Sequence, residues 1–235
     1  MATRGTSGLR IGPNTPSDTI GGPRLRSGPA GIQQRHAIKT ITWVRAAAFG
    51  GALLPAVWLV GAFSLDELTA NPIEYITRHT GFWALIMLVV TLAVTPLRRL
   101  TGWNEIIKLR RMLGLFAFFY ATLHLLTWIV LDKFFDFPLM LEDIAERRFI
   151  TIGMLTWLLL LPLALTSTKG MIRRLGRRWQ VLHRLSYVAA VTGVVHFWWL
   201  VKADVFRPQM IALALGALLG FRAWWTWRTR MPSRS

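Results

Sequence analysis

Three histidines stand inside or at the edge of long apolar stretches of this chain: His124, His183 and His196. Burying an ionisable side chain in hydrocarbon is costly, so a histidine there is a candidate for work other than packing. Neutral imidazole is a metal ligand, and two imidazoles fill both axial positions of a haem iron, giving a six-coordinate centre suited to electron transfer. The chain has no cysteine, which excludes disulfides, iron–sulfur clusters and thiolate-ligated haem. Zinc and di-iron sites are weaker readings, because no carboxylate falls inside the apolar stretches to complete them. The other two histidines, His36 in a polar N-terminal region and His79 at the mouth of the second apolar stretch, read as solvated surface residues.

The elements that must position these histidines are membrane spans. Hydrophobic residues make up 53 % of the chain and charged residues 17 %. The apolar residues come in blocks of roughly 17–22 with the charges pushed between them. Six such segments are expected to cross: Ala46–Leu65, Gly81–Leu97, Met112–Leu131, Phe149–Leu165, Val181–Val201 and Pro208–Trp227. The fifth is interrupted by His183, Arg184 and His196. The expected fold is therefore an all-α integral membrane protein, a bundle of six transmembrane helices over residues 41–230. Residues 1–40, rich in Gly, Pro, Ser, Thr and Arg, read as a disordered extension without the apolar core of a signal peptide.

A net charge of +17 would suggest nucleic acid in a soluble protein, but here the basic residues alternate with spans. With the N-terminus in the cytoplasm, the inner loops hold Arg98, Arg99, Lys108, Arg110 and Arg111, then Lys169, Arg173, Arg174, Arg177 and Arg178. The opposite side receives Asp66, Glu67, Glu74, Asp132, Asp136, Glu142, Asp143, Glu146 and Asp204. An even number of spans satisfies the positive-inside rule in every loop and returns the C-terminus to the cytoplasm.

Depth then pairs the histidines. His124 lies 13 residues beyond Arg111, roughly 20 Å at helical rise. His196 lies 13 residues beyond His183 on a span that also enters from the cytoplasm. His124 and His196 are thus expected at one outer level on different helices, as the two axial ligands of one haem. His183 sits at the inner level, and an ideal helix puts it about 220° around from His196. The third-span positions at its depth are Arg110 and Arg111, so a second haem column is incomplete. An arginine pair there suits haem propionates, a flavin phosphate or a quinone headgroup.

The stretch RRMLGLFAFFYATLHLLTW at 110–128 resembles the third span of the ferric-reductase-like transmembrane superfamily. LALTSTKGMIRRLGRRWQVLHRLSYV at 163–188, followed by VVHFWWLVK at 194–202, resembles its loop and fifth span. With NPIEYITRHTG at 71–81 and the Thr95–Pro96 end of the second span, the match is closest to the MsrQ (YedZ) family. That resemblance covers residues 41 to about 227. It implies a bacterial inner-membrane subunit binding haem b, with FMN also reported in the family. Electrons would come from the quinone pool or a cytosolic flavin reductase. They would pass to the periplasmic molybdopterin enzyme MsrP, which reduces methionine sulfoxide in oxidised proteins. The family's haem histidines match His124, His183 and His196.

Three rivals follow from the same residues. A ferric reductase or NADPH oxidase would need a nicotinamide-binding domain, and the chain has no G-x-G-x-x-G fingerprint. A quinol-oxidising cytochrome b with another acceptor keeps the same haem. A cofactor-free scaffold or transporter leaves the in-span histidines without a purpose and has no carboxylates for ion coupling.

Overall fold

The computed structural model describes the backbone of residues 29–201 and 205–230, with side chains from Ile41 to Thr229. Of the extension expected over residues 1–40, residues 1–28 lie outside the described residues. The chain divides into two units, Met1–Lys39 and Thr40–Ser235. The second unit holds every feature considered below. Among its described residues the regular structure is all helical, joined by short turns: α1 (Pro29–Ser64, entering this unit at Thr40), α2 (Pro72–Thr101), α3 (Leu109–Leu126), α4 (Phe137–Glu146), α5 (Arg148–Leu165), α6 (Lys169–Leu175), α7 (Arg177–Leu182), α8 (Leu185–Leu200) and α9 (Phe206–Arg230).

Among the described residues, five stretches are long and apolar enough to cross a membrane: Ile41–Ser64, Pro72–Thr101, Asn104–Asp132, Arg148–Leu165 and Phe206–Thr229. This is a multi-pass membrane protein. Its outward surface is apolar, with Leu54, Phe63, Leu158 and Leu213 among the exposed large side chains, as lipid requires. The expected span at 181–201 is divided instead. The chain tightens where His183 and Arg184 interrupt the apolar run: His183 N–H bonds Trp179 O at 2.9 Å, and Arg184 N–H bonds Val181 O at 3.1 Å. What remains beyond the break is the 16-residue α8, about 24 Å long.

α2 is longer than the apolar run that marks it, because residues 72–80 join the helix. The Asn71 side chain accepts from the Glu74 backbone N–H at 3.2 Å, and Pro72 stands at the first position, where a missing N–H costs nothing. Gly102, at φ 70°, ends it in the left-handed conformation.

At two of the prolines inside spans, side chains from other helices bond the backbone of the interrupted turn. Pro96 has no N–H to give the Leu92 carbonyl, and Arg222 of α9 donates to that carbonyl through Nη2 at 2.5 Å. Beside Pro55, the Tyr120 hydroxyl donates to Ala52 O at 2.7 Å and accepts from Ala56 N–H at 3.1 Å, entering the α1 ladder. Leu92 and Tyr120 are both fully buried, so these bonds lie in the core.

Beyond α3 the chain winds a π-helical turn, Thr127–Asp132, then reverses through Phe134 and Phe135, both at positive φ. The reversal is held by Lys133. Its ammonium is buried, 2.5 Å from the Asp143 carboxylate of α4, which also takes Arg147 at 3.2 Å. The hydrogen bond to Asp143 holds the Lys133 pKa above its ordinary value, against the opposing effect of burial.

Candidate functional site

The two most extensive helix contacts are α2 with α3 and α5 with α8, and each positions one histidine in the same way. His124 of α3 lies with its ring against Gly81 of α2, and Nδ1 is 2.9 Å from the Thr77 carbonyl. His196 of α8 lies against Gly153 of α5, with Nδ1 2.6 Å from the Phe149 carbonyl. In both cases the carbonyl belongs to the residue four before the glycine.

The physical reason for the glycine is direct. A Cβ at Gly81 would come 2.9 Å from His124 Nδ1, and one at Gly153 would come 2.7 Å from His196 Nδ1. Either distance is shorter than side chains tolerate, so only glycine lets the imidazole lie on the neighbouring backbone. A carbonyl can only accept, so each Nδ1 carries the ring proton. That leaves Nε2 with its lone pair, the form of imidazole that binds a metal, oriented by a second hydrogen bond.

The two rings meet at a centroid separation of 6.0 Å and an angle of 74°. Two metal–imidazole bonds of about 2 Å each, with half a ring at either end, need about that span. The depth expectation for His124 and His196 therefore describes their juxtaposition. The π-helical turn begins three residues after His124, where the Thr127 hydroxyl donates to His124 O at 2.8 Å. Such turns often accompany functional sites. Trp157 of α5 donates to the Thr122 hydroxyl of α3 at 3.1 Å, joining the two helix pairs just below the histidines.

His183 is elsewhere. It stands in the turn between α7 and α8, stacked on Trp179 at 3.9 Å, with Nε2 3.3 Å from the Thr166 hydroxyl. Arg110 of α3 is half-buried and within electrostatic reach of it, whereas Arg111 is exposed. His79 is half-buried rather than surrounded by solvent: its ring stacks on Trp58 at 5.3 Å and on Tyr75 at 5.9 Å, and Nε2 is 3.1 Å from Pro55 O. The side chain of His36 lies outside the described residues.

Comparison with known proteins places this architecture. The model of the ferric reductase like transmembrane component matches residues 80–194, which include His124 and His183 and end two residues before His196. A Ralstonia nicotianae protein is 51 % identical over 81 % of this chain and 89 % of its own length. It is named protein-methionine-sulfoxide reductase heme-binding subunit MsrQ, as is a Rhodospirillum rubrum protein 54 % identical over 76 % of this chain and 86 % of its own. The chain belongs to the MsrQ family. A further member from Herminiimonas arsenicoxydans is 51 % identical over 83 % of this chain and 91 % of its own length. No solved structure matches.

Within this MsrQ-family chain, sequence reading missed Gly81, Gly153, Tyr120 and Arg222. Arg222 carried a usable signal, a charge inside the last apolar segment, by the same rule that singled out the histidines. The glycines carried none, since nothing in one sequence says which glycine faces which ring.

Proposed function

We propose that this chain is the b-type cytochrome of a methionine-sulfoxide-repair system in the bacterial inner membrane. It carries electrons from the quinone pool or a cytosolic flavin reductase to MsrP, a periplasmic molybdopterin methionine sulfoxide reductase. The observation that carries the reading is the His124–His196 pair, two imidazoles on different helices with their Nδ1 protons fixed and their rings 6.0 Å apart. The absence of cysteine supports haem b, because covalent attachment would need C-x-x-C-H. The names of the relatives support both the haem and the repair system.

In this reading His124 and His196 would hold the haem iron. Bound between them, haem iron supplies a one-electron step inside the membrane. The Thr77 and Phe149 carbonyls keep each imidazole in its ligating form, and the buried side chains of Ala117, Tyr120, Ala190 and Val194 on α3 and α8 keep water away. His183 serves the inner level, with Arg110 placed for an anionic group such as a propionate, a flavin phosphate or a quinone headgroup. FMN and quinone rest on family resemblance. The bundle has six crossings when the break at His183 is counted within the fifth, and both termini are cytoplasmic.

The test is spectroscopic. The purified protein should give a b-type pyridine haemochrome. Its dithionite-reduced form should reoxidise when MsrP and a methionine-sulfoxide substrate are added together. Absence of the haemochrome sinks the cytochrome reading, and a haem indifferent to MsrP redirects the electrons to another acceptor.

A further inference from the structure

Arg222 presents a charge problem that the haem site leaves untouched. It lies in the last span, and the groups that hold it are neutral: Nη1 donates to the Tyr187 hydroxyl and Nη2 to the Leu92 carbonyl. Its Nε–H is buried and meets no acceptor among the described residues. The charges within reach are of the same sign, Arg99 and Arg110. The acidic residue on this side of the bundle, Glu105, is paired with Lys108. A guanidinium in an apolar setting with neutral partners and like-charged neighbours lacks a counter-ion among the described residues.

A groove of about 480 Å³ opens at this guanidinium, lined by Tyr187, Leu219, Arg222, Ala223, Thr226 and Trp227. Its lining is mixed. The guanidinium and the tyrosine hydroxyl are its polar part. Because that hydroxyl accepts from Arg222, its own proton is free to donate. Leu219 and Ala223 are apolar. The rim carries interfacial markers: Arg228 stacks over Trp224 at 5.4 Å, and Arg99 over Trp225 at 5.2 Å. An anion with an attached hydrocarbon chain meets every part of this groove, and a small free anion leaves the apolar part unused.

We propose that the α8–α9 groove binds the phosphate of an anionic phospholipid, with Arg222 and Tyr187 holding the phosphate and Leu219 and Ala223 receiving the acyl chain. The lipid supplies the negative charge that the arginine cluster lacks, and it ties α9 to α8 at the basic side of the bundle.

Native mass spectrometry of the haem-loaded protein in neutral detergent tests this with three probes: short-chain phosphatidylglycerol, phosphatidylcholine of equal chain length, and inorganic phosphate. Phosphatidylglycerol is expected to bind about tenfold more tightly than phosphatidylcholine, because both carry the phosphate but the choline cation of the latter meets the like charges of Arg222, Arg99 and Arg110. Arg222→Gln should abolish that preference, and Tyr187→Phe should reduce it several-fold. Ala223→Leu fills the apolar part without touching the guanidinium. It should weaken phosphatidylglycerol binding while the haem spectrum and melting temperature stay unchanged, so a folding defect in Arg222→Gln is not mistaken for support. Equal binding of the two lipids, or unchanged binding in Ala223→Leu, overturns the proposal. Full displacement of phosphatidylglycerol by inorganic phosphate assigns the groove to free phosphate instead.

Discussion

His124 and His196 are held by the same device twice: each imidazole rests on a glycine of the neighbouring helix and points Nδ1 at the carbonyl four residues before it. The helix pairs α2–α3 and α5–α8 thus present matching halves of one site, and each ring is fixed from behind by backbone rather than by a replaceable side chain.

That device predicts an unusual sign for a glycine substitution. Replacing a helical glycine by alanine ordinarily stabilises a helix by about 1 kcal/mol. Gly81→Ala and Gly153→Ala should do the opposite, displacing the imidazole and lowering haem retention with a weakened low-spin spectrum. Gly114→Ala is the control, since its Cβ meets nothing nearer than Thr91 Cγ2 at 3.6 Å. Haem stoichiometry and the Soret band decide, and a wild-type spectrum in both Gly81→Ala and Gly153→Ala removes the glycines from the site.

The three histidines should separate by variant. His124→Ala and His196→Ala are each expected to lose most haem or its six-coordinate low-spin state. His183→Ala, at the α7–α8 turn beside Trp179, should keep most of the haem and slow its reduction from the cytoplasmic side. Absorption and electron paramagnetic resonance spectra of the three proteins test this. Loss of the low-spin signal in His183→Ala with its retention in His196→Ala would move the haem to the inner level.

Arg222 and Pro96 should be energetically coupled through the Leu92 carbonyl. In the wild-type protein Arg222→Gln leaves that buried carbonyl without a donor, at a cost of about 1.5–3 kcal/mol. Restoring an N–H with Pro96→Ala gives the carbonyl its helical partner back, so the same Arg222→Gln change should cost less in that background. Thermal unfolding of both single variants and the double variant in detergent forms the cycle. Strict additivity would show that the arginine is not serving the proline's vacancy.

Lys133 predicts a contribution to stability that is lost at the alkaline end. The folded-state pKa of Lys133 is raised, so its contribution is complete below the unfolded value of about 10.4 and is lost as pH rises through the folded value. Asp143→Asn removes the nearer of two carboxylates at the buried ammonium, leaving Asp132 at 3.6 Å, and should destabilise the reversal before α4 by about 1.5–3 kcal/mol at neutral pH. Hydrogen exchange across residues 137–146 measures both effects. Protection that already falls between pH 6 and 9 (roughly 1 to 4 units below that unfolded value) counts against the pair.

The sequence by itself determined the membrane setting, the all-helical class and the candidate ligands. Apolar run length, loop charge and residue type are one-dimensional quantities that lipid reads directly. It also paired His124 with His196, because depth along a span is a count of residues times a fixed rise. It did not foresee the break at His183, where two polar residues divided one expected span into α7 and α8. Nor did it separate Arg110 from Arg111, which are adjacent in the chain and face different surroundings. The glycines behind the imidazoles, the tyrosine in the α1 ladder and the arginine at the Leu92 carbonyl were decided only in three dimensions. Each joins residues between 43 and 130 positions apart in sequence, and which face of one helix meets which carbonyl of another depends on rotation and packing, not on composition.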